Sequence, residues 1–385
     1  MDIKNMQKFD FILGSALLFS LRLPVIILGK LMKRDHAAAA QGAILVIKML
    51  GGGSLVLAYP ALLGIRRRYK DSKLVLLTLE SVKPFGESLN LFDEIICIRH
   101  RSALSLVSSS LIAWVRCFRR IDTVADLEVY SKMTTVFSVL TAARNRVGFY
   151  LENTHWRRNI HTHLLFFNRY SGSFYFYDAI AGLLDAEVAT RRTCEEHLRQ
   201  VLLPPTVPRG ARKQIAIGYS CSDFGMERTL KPKQWASVLK GRNVSNAELV
   251  FLGGKADRVQ AEKIIVFLKE RFPGLSFVNM SGLLTLKESI SIIASADEFW
   301  GIDSALLHYA RLLGRKTVSF WGPTDPQTRL RNDDALVSEV FYKKIPCSPC
   351  IHVAETPPCH GLSICMEAIF DENAQMQSLH QFIIV

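Results

Sequence analysis

A chain of 385 residues is long enough for two domains of ordinary size, each with its own core. Apolar residues make up 49% and charged residues 22%, which excludes a largely disordered chain. The formal net charge of +13 suits an anionic partner. Its basic residues are scattered as Arg66-Arg67-Arg68, Arg119-Arg120, Arg157-Arg158 and Arg191-Arg192, without a zinc-finger or basic-zipper pattern. Phosphorylated substrates or an acidic membrane face therefore fit better than nucleic acid.

Residues 9–32 are strongly apolar but are interrupted by Asp10, Arg22 and Pro24, and Lys30, Lys33 and Arg34 lie at their end. The uncharged run 11–21 is shorter than the ~20 residues a bilayer span needs, and no cleavage pattern of small residues follows. Three readings stay open: an interfacial or re-entrant membrane helix, a full span with Arg22 snorkelling, or a helix packed on the protein. An apolar segment flanked by lysines favours an anionic bilayer surface, so residues 1–40 are set apart as a membrane-associating segment.

After Ala37–Ala40, short β-branched runs alternate with amphipathic stretches. Strands are expected at 43–49, 73–78, 94–98, 123–127 and 146–149, with helices at 55–69, 103–119 and 130–143. Such alternation implies βαβ units and a parallel sheet. The proline-rich stretch 203–210 reads as a linker, placed at 204–212. Beyond it come expected strands at 214–219, 248–252, 276–279, 298–301 and 317–320, with helices at 232–240, 256–271, 286–294 and 304–313. The expected architecture is thus α/β: a Rossmann-like domain over 41–203, a second over 213–345, and a cysteine-containing segment over 346–385. In two such domains the default ligand site is a cleft at the carboxyl ends of the strands.

The first constellation is Lys48-Met-Leu-Gly51-Gly52-Gly53-Ser54, between a strand and a helix. Three glycines permit close approach of backbone to a ligand, but the spacing matches neither a Walker loop nor Gly-x-Gly-x-x-Gly, so a tight turn explains it equally well. The second is Asp303-Ser304-Ala305 with His308, followed by Gly322-Pro323-Thr324-Asp325-Pro326. Amides opening that helix, with its dipole, could hold a diphosphate; the alternative is a cap, a core histidine and a turn. The third is Ser222 with Arg228, after the first strand of the second domain, where an arginine could neutralise a leaving phosphate. A solvated loop is its plainer reading.

Ile44-Leu-Val-Ile-Lys48 with the glycine loop, Ala58-Tyr-Pro60-Ala61-Leu62, Arg146-Val-Gly148-Phe149, Gly301-Ile-Asp303-Ser304-x-x-x-His308 and Phe320-Trp-Gly-Pro-Thr-Asp-Pro326 together resemble glycosyltransferase family 9, the lipopolysaccharide heptosyltransferases. The resemblance runs in order from about residue 43 to residue 369. It implies a GT-B fold, with two Rossmann-like domains facing each other across a cleft. It also implies an inverting, metal-independent transfer from a nucleoside-diphosphate sugar to a glycan or glycolipid acceptor such as lipopolysaccharide core. Asp303, Ser304, Ala305 and His308 would surround the donor, with Ser222 and Arg228 less securely placed. No cofactor would be required, and the work would occur on the cytoplasmic face of a bacterial inner membrane.

One position departs from the pattern. Where the heptosyltransferases carry an aspartate base after the glycine loop, this chain has Ser54. A serine at its ordinary pKa cannot take the acceptor proton. Asp126 and Glu128, at the end of an expected strand, are the replacement candidates, with Glu128 favoured as the base and a helix-start acid as the plainer reading. Ser54 also keeps open a catalytically inactive nucleotide-sugar-binding protein of the same fold; an epimerase of related fold would want more histidines and acids than can be placed. Finally, Cys347, Cys350, Cys359 and Cys365 have gaps short enough for a structural zinc site, or are simply reduced thiols in a cytoplasmic protein.

Overall fold

The computed structural model describes residues 3–151, 155–202, 204, 210, 212–221, 223–242, 244–332, 338–351, 353–354 and 357–371. Ser222 and most of the proline-rich stretch lie outside these residues. The chain divides into two compact units, Met1–Thr190 and Arg191–Val385.

The first unit runs α1 (Ile3–Met32), β1 (Ile44–Ile47), α2 (Gly52–Leu57), α3 (Tyr59–Arg68), β2 (Leu74–Leu79), α4 (Lys83–Leu89), β3 (Glu94–Ile98), α5 (Ala103–Cys117), β4 (Thr123–Asp126), α6 (Lys132–Leu140), β5 (Asn145–Tyr150), β6 (His163–Phe166) and α7 (Ser173–Leu183). Its sheet has the order β3-β2-β1-β4-β5-β6, parallel throughout. Strands β1, β2 and β4 are buried at every position, which is why they read as unbroken apolar runs rather than alternating ones.

The second unit runs α8 (Arg191–Arg199), β7 (Lys213–Gly218), α9 (Pro232–Gly241), β8 (Ala247–Phe251), α10 (Arg258–Lys269), β9 (Ser276–Asn279), α11 (Leu286–Ser295), β10 (Glu298–Ile302), α12 (Ala305–Leu312), β11 (Lys316–Trp321), β12 (Ser338–Tyr342) and α13 (Ile364–Glu367). Its sheet order is β12-β11-β10-β7-β8-β9, again parallel. In both sheets the strand order reverses beside the first strand, and that switch point is where doubly wound folds place ligands.

Several expectations are amended. The helix expected at 55–69 is two helices, α2 and α3, with Ala58 as the last position of one and the first cap of the other. Strands β6 and β12 escaped the sequence reading; both are edge strands with half-exposed positions and so lack a buried apolar run. Helix α8 precedes the proline-rich stretch yet belongs to the second unit, where the guanidinium of Arg191 lies against Gly314.

Helix α1 is continuous through Arg22 and Pro24, so neither residue ends it. Residues Lys8–Met32 form the one helix among those described that is long and apolar enough to cross a membrane, and only 11% of its most apolar window is buried. Part of it is packed on the protein. Leu17, Leu18 and Leu21 meet Val136, Val139 and Ile160, and Asp10 accepts from the amides of Lys132 (2.9 Å) and Met133 (3.0 Å) at the start of α6. The acid that breaks the apolar run is thus a helix cap for a neighbouring element.

Candidate active site

In the first unit the carboxyl end of β4 carries Asp126 and, two residues on, Glu128. Oε1 of Glu128 accepts from Lys48 Nζ (2.9 Å) and from the amides of Met49 (2.8 Å) and Leu50 (3.1 Å). These three donors lie at the end of β1, just before the glycine loop, so the carboxylate fixes the entry to that loop. Burial alone would raise the pKa of Glu128; the Lys48 ammonium and the two amides outweigh it and hold the carboxyl below its usual range. The hydrogen bonds found to this carboxylate among the described residues all fall on Oε1, and the side chain is 16% exposed.

Asp126 differs in kind. It is fully buried and spends its oxygens on the Glu128 amide (3.0 Å), Thr134 Oγ1 (2.9 Å) and Arg157 Nη2 (3.4 Å). Burial pushes its pKa up to about 6 against the pull of Arg157. Arg157 is itself fully buried; it donates to the carbonyls of Phe149 (3.1 Å), Glu128 (2.6 Å) and Ser131 (3.1 Å) and so ties β5, the β4 exit and α6 together. One member of a doublet counted toward the basic surface is therefore an interior strut. The buried His161 ring, with neither nitrogen partnered among the described residues, lies 3.8 Å from Asp126, and burial holds it neutral.

The glycine loop is sterically required. Gly51 has φ +79°, and a Cβ on Gly52 would sit 2.4 Å from the Phe85 ring. Ser54 lies in the first turn of α2, its amide donating to the Gly51 carbonyl (3.0 Å).

In the second unit Arg228 follows β7, Asp303 and Ser304 follow β10, and Thr324 follows β11. These three strands are neighbours, so all four residues stand at one carboxyl edge. Arg228 Nη1 donates to the Asp303 carbonyl (2.7 Å) and approaches Asp303 Oδ2 (3.3 Å). His308, one turn into α12, places Nε2 3.5 Å from Asp303 Oδ1. Burial opposes ionisation of Asp303, yet His308 and Arg228 hold its carboxyl far below the ordinary range. Burial also lowers the pKa of His308, so the ring is neutral near pH 7.

Ser304 occupies the N-cap of α12 without capping it. Its Oγ is buried and has no hydrogen-bond partner among the described residues, as is the case for Thr324 Oγ1 and Arg228 Nε. Buried polar atoms left unpaired cost free energy, so three along one carboxyl edge mark a place built for a polar ligand. Thr324 was quoted in the sequence motif but not singled out, and nothing in the sequence distinguishes its hydroxyl from that of any turn threonine.

The C-terminal segment supports this edge. Pro323 carbonyl accepts from the amides of Cys350 (3.1 Å) and Ile351 (3.0 Å), and Ser348 Oγ donates to the Gly322 carbonyl. A Cβ on Gly322 would meet Met366 Sδ at 2.6 Å and Cys365 Sγ at 2.8 Å, so the turn seats directly on this segment. Cys347, Cys350, Cys359 and Cys365 are free thiols, and burial pushes Cys350 up to about 11 and Cys365 to about 12. Among the described residues no group of three or more His, Cys, Asp or Glu is placed to hold a metal. The expected zinc cluster is thus not formed there; Cys359 and Cys365 are small apolar filling in the core of the second unit, with Cys347 packed against it.

The family model described as glycosyltransferase family 9 (heptosyltransferase) matches residues 185–358, most of the second unit. Lipooligosaccharide heptosyltransferase 2 of Campylobacter jejuni serotype O:6 is 24% identical over 312 residues, covering 78% of this chain and 87% of that protein. Its counterpart from serotype O:2 is 27% identical over 164 residues, covering 40% of this chain and only half of that protein. Among solved structures, the E. coli heptosyltransferase WaaC with ADP superposes with a TM-score of 0.61 at 14% identity, covering 88% of this chain and 99% of that one. At that identity the superposition speaks for the fold, which is GT-B.

Proposed function

Proceeding from a chain that belongs to the family 9, heptosyltransferase-like glycosyltransferases, we propose that it moves a sugar from a nucleoside diphosphate to a hydroxyl of an envelope glycan or glycolipid, with inversion and without a metal. The observation that carries this reading is the trio of buried atoms at the carboxyl edge of β7, β10 and β11 that have no partner among the described residues: Ser304 Oγ, Thr324 Oγ1 and Arg228 Nε. Together with the first amides of α12, among them that of Ala305, they supply hydrogen-bond donors and positive charge for a diphosphate that leaves with a bonding electron pair. Asp303 orients Arg228 and the neutral His308 rather than touching the donor's charge itself.

The acceptor hydroxyl oxygen attacks the anomeric carbon, the bond from that carbon to the diphosphate oxygen breaks, and the hydroxyl proton passes to Glu128 Oε2. Ser54 cannot take this role; Glu128 can, because the hydrogen bonds found to it among the described residues, from Lys48 and two amides, all fall on Oε1. Asp126, sealed from solvent, positions Glu128 through its amide and is not itself the base. The exposed apolar face of α1 docks the enzyme on the cytoplasmic face of the inner membrane, where lipid-linked acceptors are presented.

A thermal-shift panel of ADP-, UDP-, GDP- and CDP-linked sugars tests the donor half. One of them, with ADP-heptose foremost because a solved relative binds ADP, raises the Tm. Thr324→Val then weakens that donor by roughly fivefold to tenfold. A panel in which no nucleotide sugar shifts the Tm overturns the reading.

A further inference from the structure

Helix α5 is amphipathic the wrong way round for an ordinary layer helix. Its fully buried stripe is small, Ser109, Ala113 and Cys117, with Leu106 and Trp114 packed in part on the same core. Its outward stripe is bulky and apolar: Leu104, Val107, Leu111, Ile112, Val115 and Phe118 are between 41% and 79% exposed. Apart from the adjacent Leu111 and Ile112 they are spaced by three or four, which puts them along one face about 21 Å long. Single exposed apolar residues need no explanation, but six in one row do.

The charges around the stripe say what covers it. Residues 99–121 contain five arginines and no carboxylate. Arg99, Arg119 and Arg120 make no ion pair among the described residues and are exposed. At the amino edge of the sheet, Arg34, Arg119, Arg120 and Arg144 line one hollow together with Asp35 and Asp122; Asp122 pairs with Arg144 (2.8 Å), which leaves Arg34, Arg119 and Arg120 as its outward cations. This end of α5 is bonded to the end of α6, the helix on which the apolar N-terminal helix packs. Trp114 Nε1 donates to the Leu140 carbonyl of α6 (2.8 Å), the Arg119 amide to Thr141 (2.9 Å), and Arg34, just past α1, to Ala142 (3.0 Å).

We propose that α5 is a second membrane-contact element: its apolar stripe lies in the interface of an anionic bilayer, and Arg34, Arg119 and Arg120 take lipid phosphates. A protein partner would be expected to offer carboxylates to so basic a rim and buried polar contacts to so long a face; a bilayer supplies the apolar layer and the anionic one together. The inference rests on the membrane placement proposed for α1 but not on sugar transfer.

The test is the full-length protein mixed with phosphatidylcholine vesicles, with and without phosphatidylglycerol, in the absence of any nucleotide sugar. Hydrogen exchange in residues 103–118 slows on the anionic vesicles. L104S/L111S/V115S abolishes that protection and lowers partitioning roughly tenfold. R119Q/R120Q lowers partitioning onto anionic vesicles and leaves that onto pure phosphatidylcholine unchanged. Helix α1 is present in every protein, so its contribution is common to all arms, and far-UV circular dichroism and the Tm of the same preparations check folding. Unchanged exchange of α5 on anionic vesicles overturns the proposal. So does protection that instead follows protein concentration without lipid, since a second copy would then cover the face.

Discussion

Glu128 and Lys48 form the pair whose chemistry is most exposed to test. Because Lys48 and two amides hold the Glu128 carboxyl below its ordinary value, the acid limb of the transfer rate lies below the usual carboxylate range. Glu128→Gln keeps the size of the side chain but not its proton affinity, and transfer falls by about 100-fold or more while donor binding is retained. Activity within a few-fold of wild type would remove Glu128 from the mechanism. Asp303 sets the stability counterpart. Its folded pKa is depressed relative to the unfolded chain, so it stabilises the protein above the unfolded value near 3.8, and that stability is lost as pH falls toward the folded one. Urea unfolding followed from about pH 6 to pH 3 is therefore less steep in pH for Asp303→Asn than for wild type.

The N-cap serines of α5 and α12 do different work. Ser102 caps α5 by accepting from the Ser105 amide at 3.1 Å. Ser304 stands at the same position on α12 and makes no such bond. Ser102→Ala is expected to cost about 1 kcal/mol of stability and to leave donor affinity alone. Ser304→Ala does the reverse: the Tm of the free protein changes little, and the nucleotide sugar binds roughly fivefold to tenfold more weakly. Paired melts with and without donor distinguish the two, and equal behaviour would mean that the α12 opening is an ordinary helix start.

At the scale of the molecule, the C-terminal segment is part of the second unit rather than an appendage. Met366 is fully buried in that unit's core, its carbonyl accepts from Gln234 Nε2 (2.9 Å), and its sulfur lies under Gly322. Met366→Ala should cost about 2 to 5 kcal/mol as a core truncation. Gly322→Ala should disturb the turn that carries Thr324, so donor affinity drops more than stability does. A Gly322→Ala protein with wild-type donor affinity would show that the turn moves independently of the segment beneath it.

The alternation of buried β-branched runs with amphipathic stretches is a local property, and it made the two parallel sheets and most of their strands legible in the sequence. The signature around Asp303 and His308 was legible as well, because a family motif is a string of residue types. What sequence could not supply is which polar atoms lack a partner. Whether Glu128 caps a helix or clamps the glycine loop, whether Arg157 faces water or struts the interior, and whether four cysteines meet a metal or fill a core all depend on contacts between residues far apart in the chain. The edge strands β6 and β12 were missed for a related reason, since a strand buried on one side carries half the signal. Pairing and burial belong to the folded molecule, and only tertiary structure assigns them.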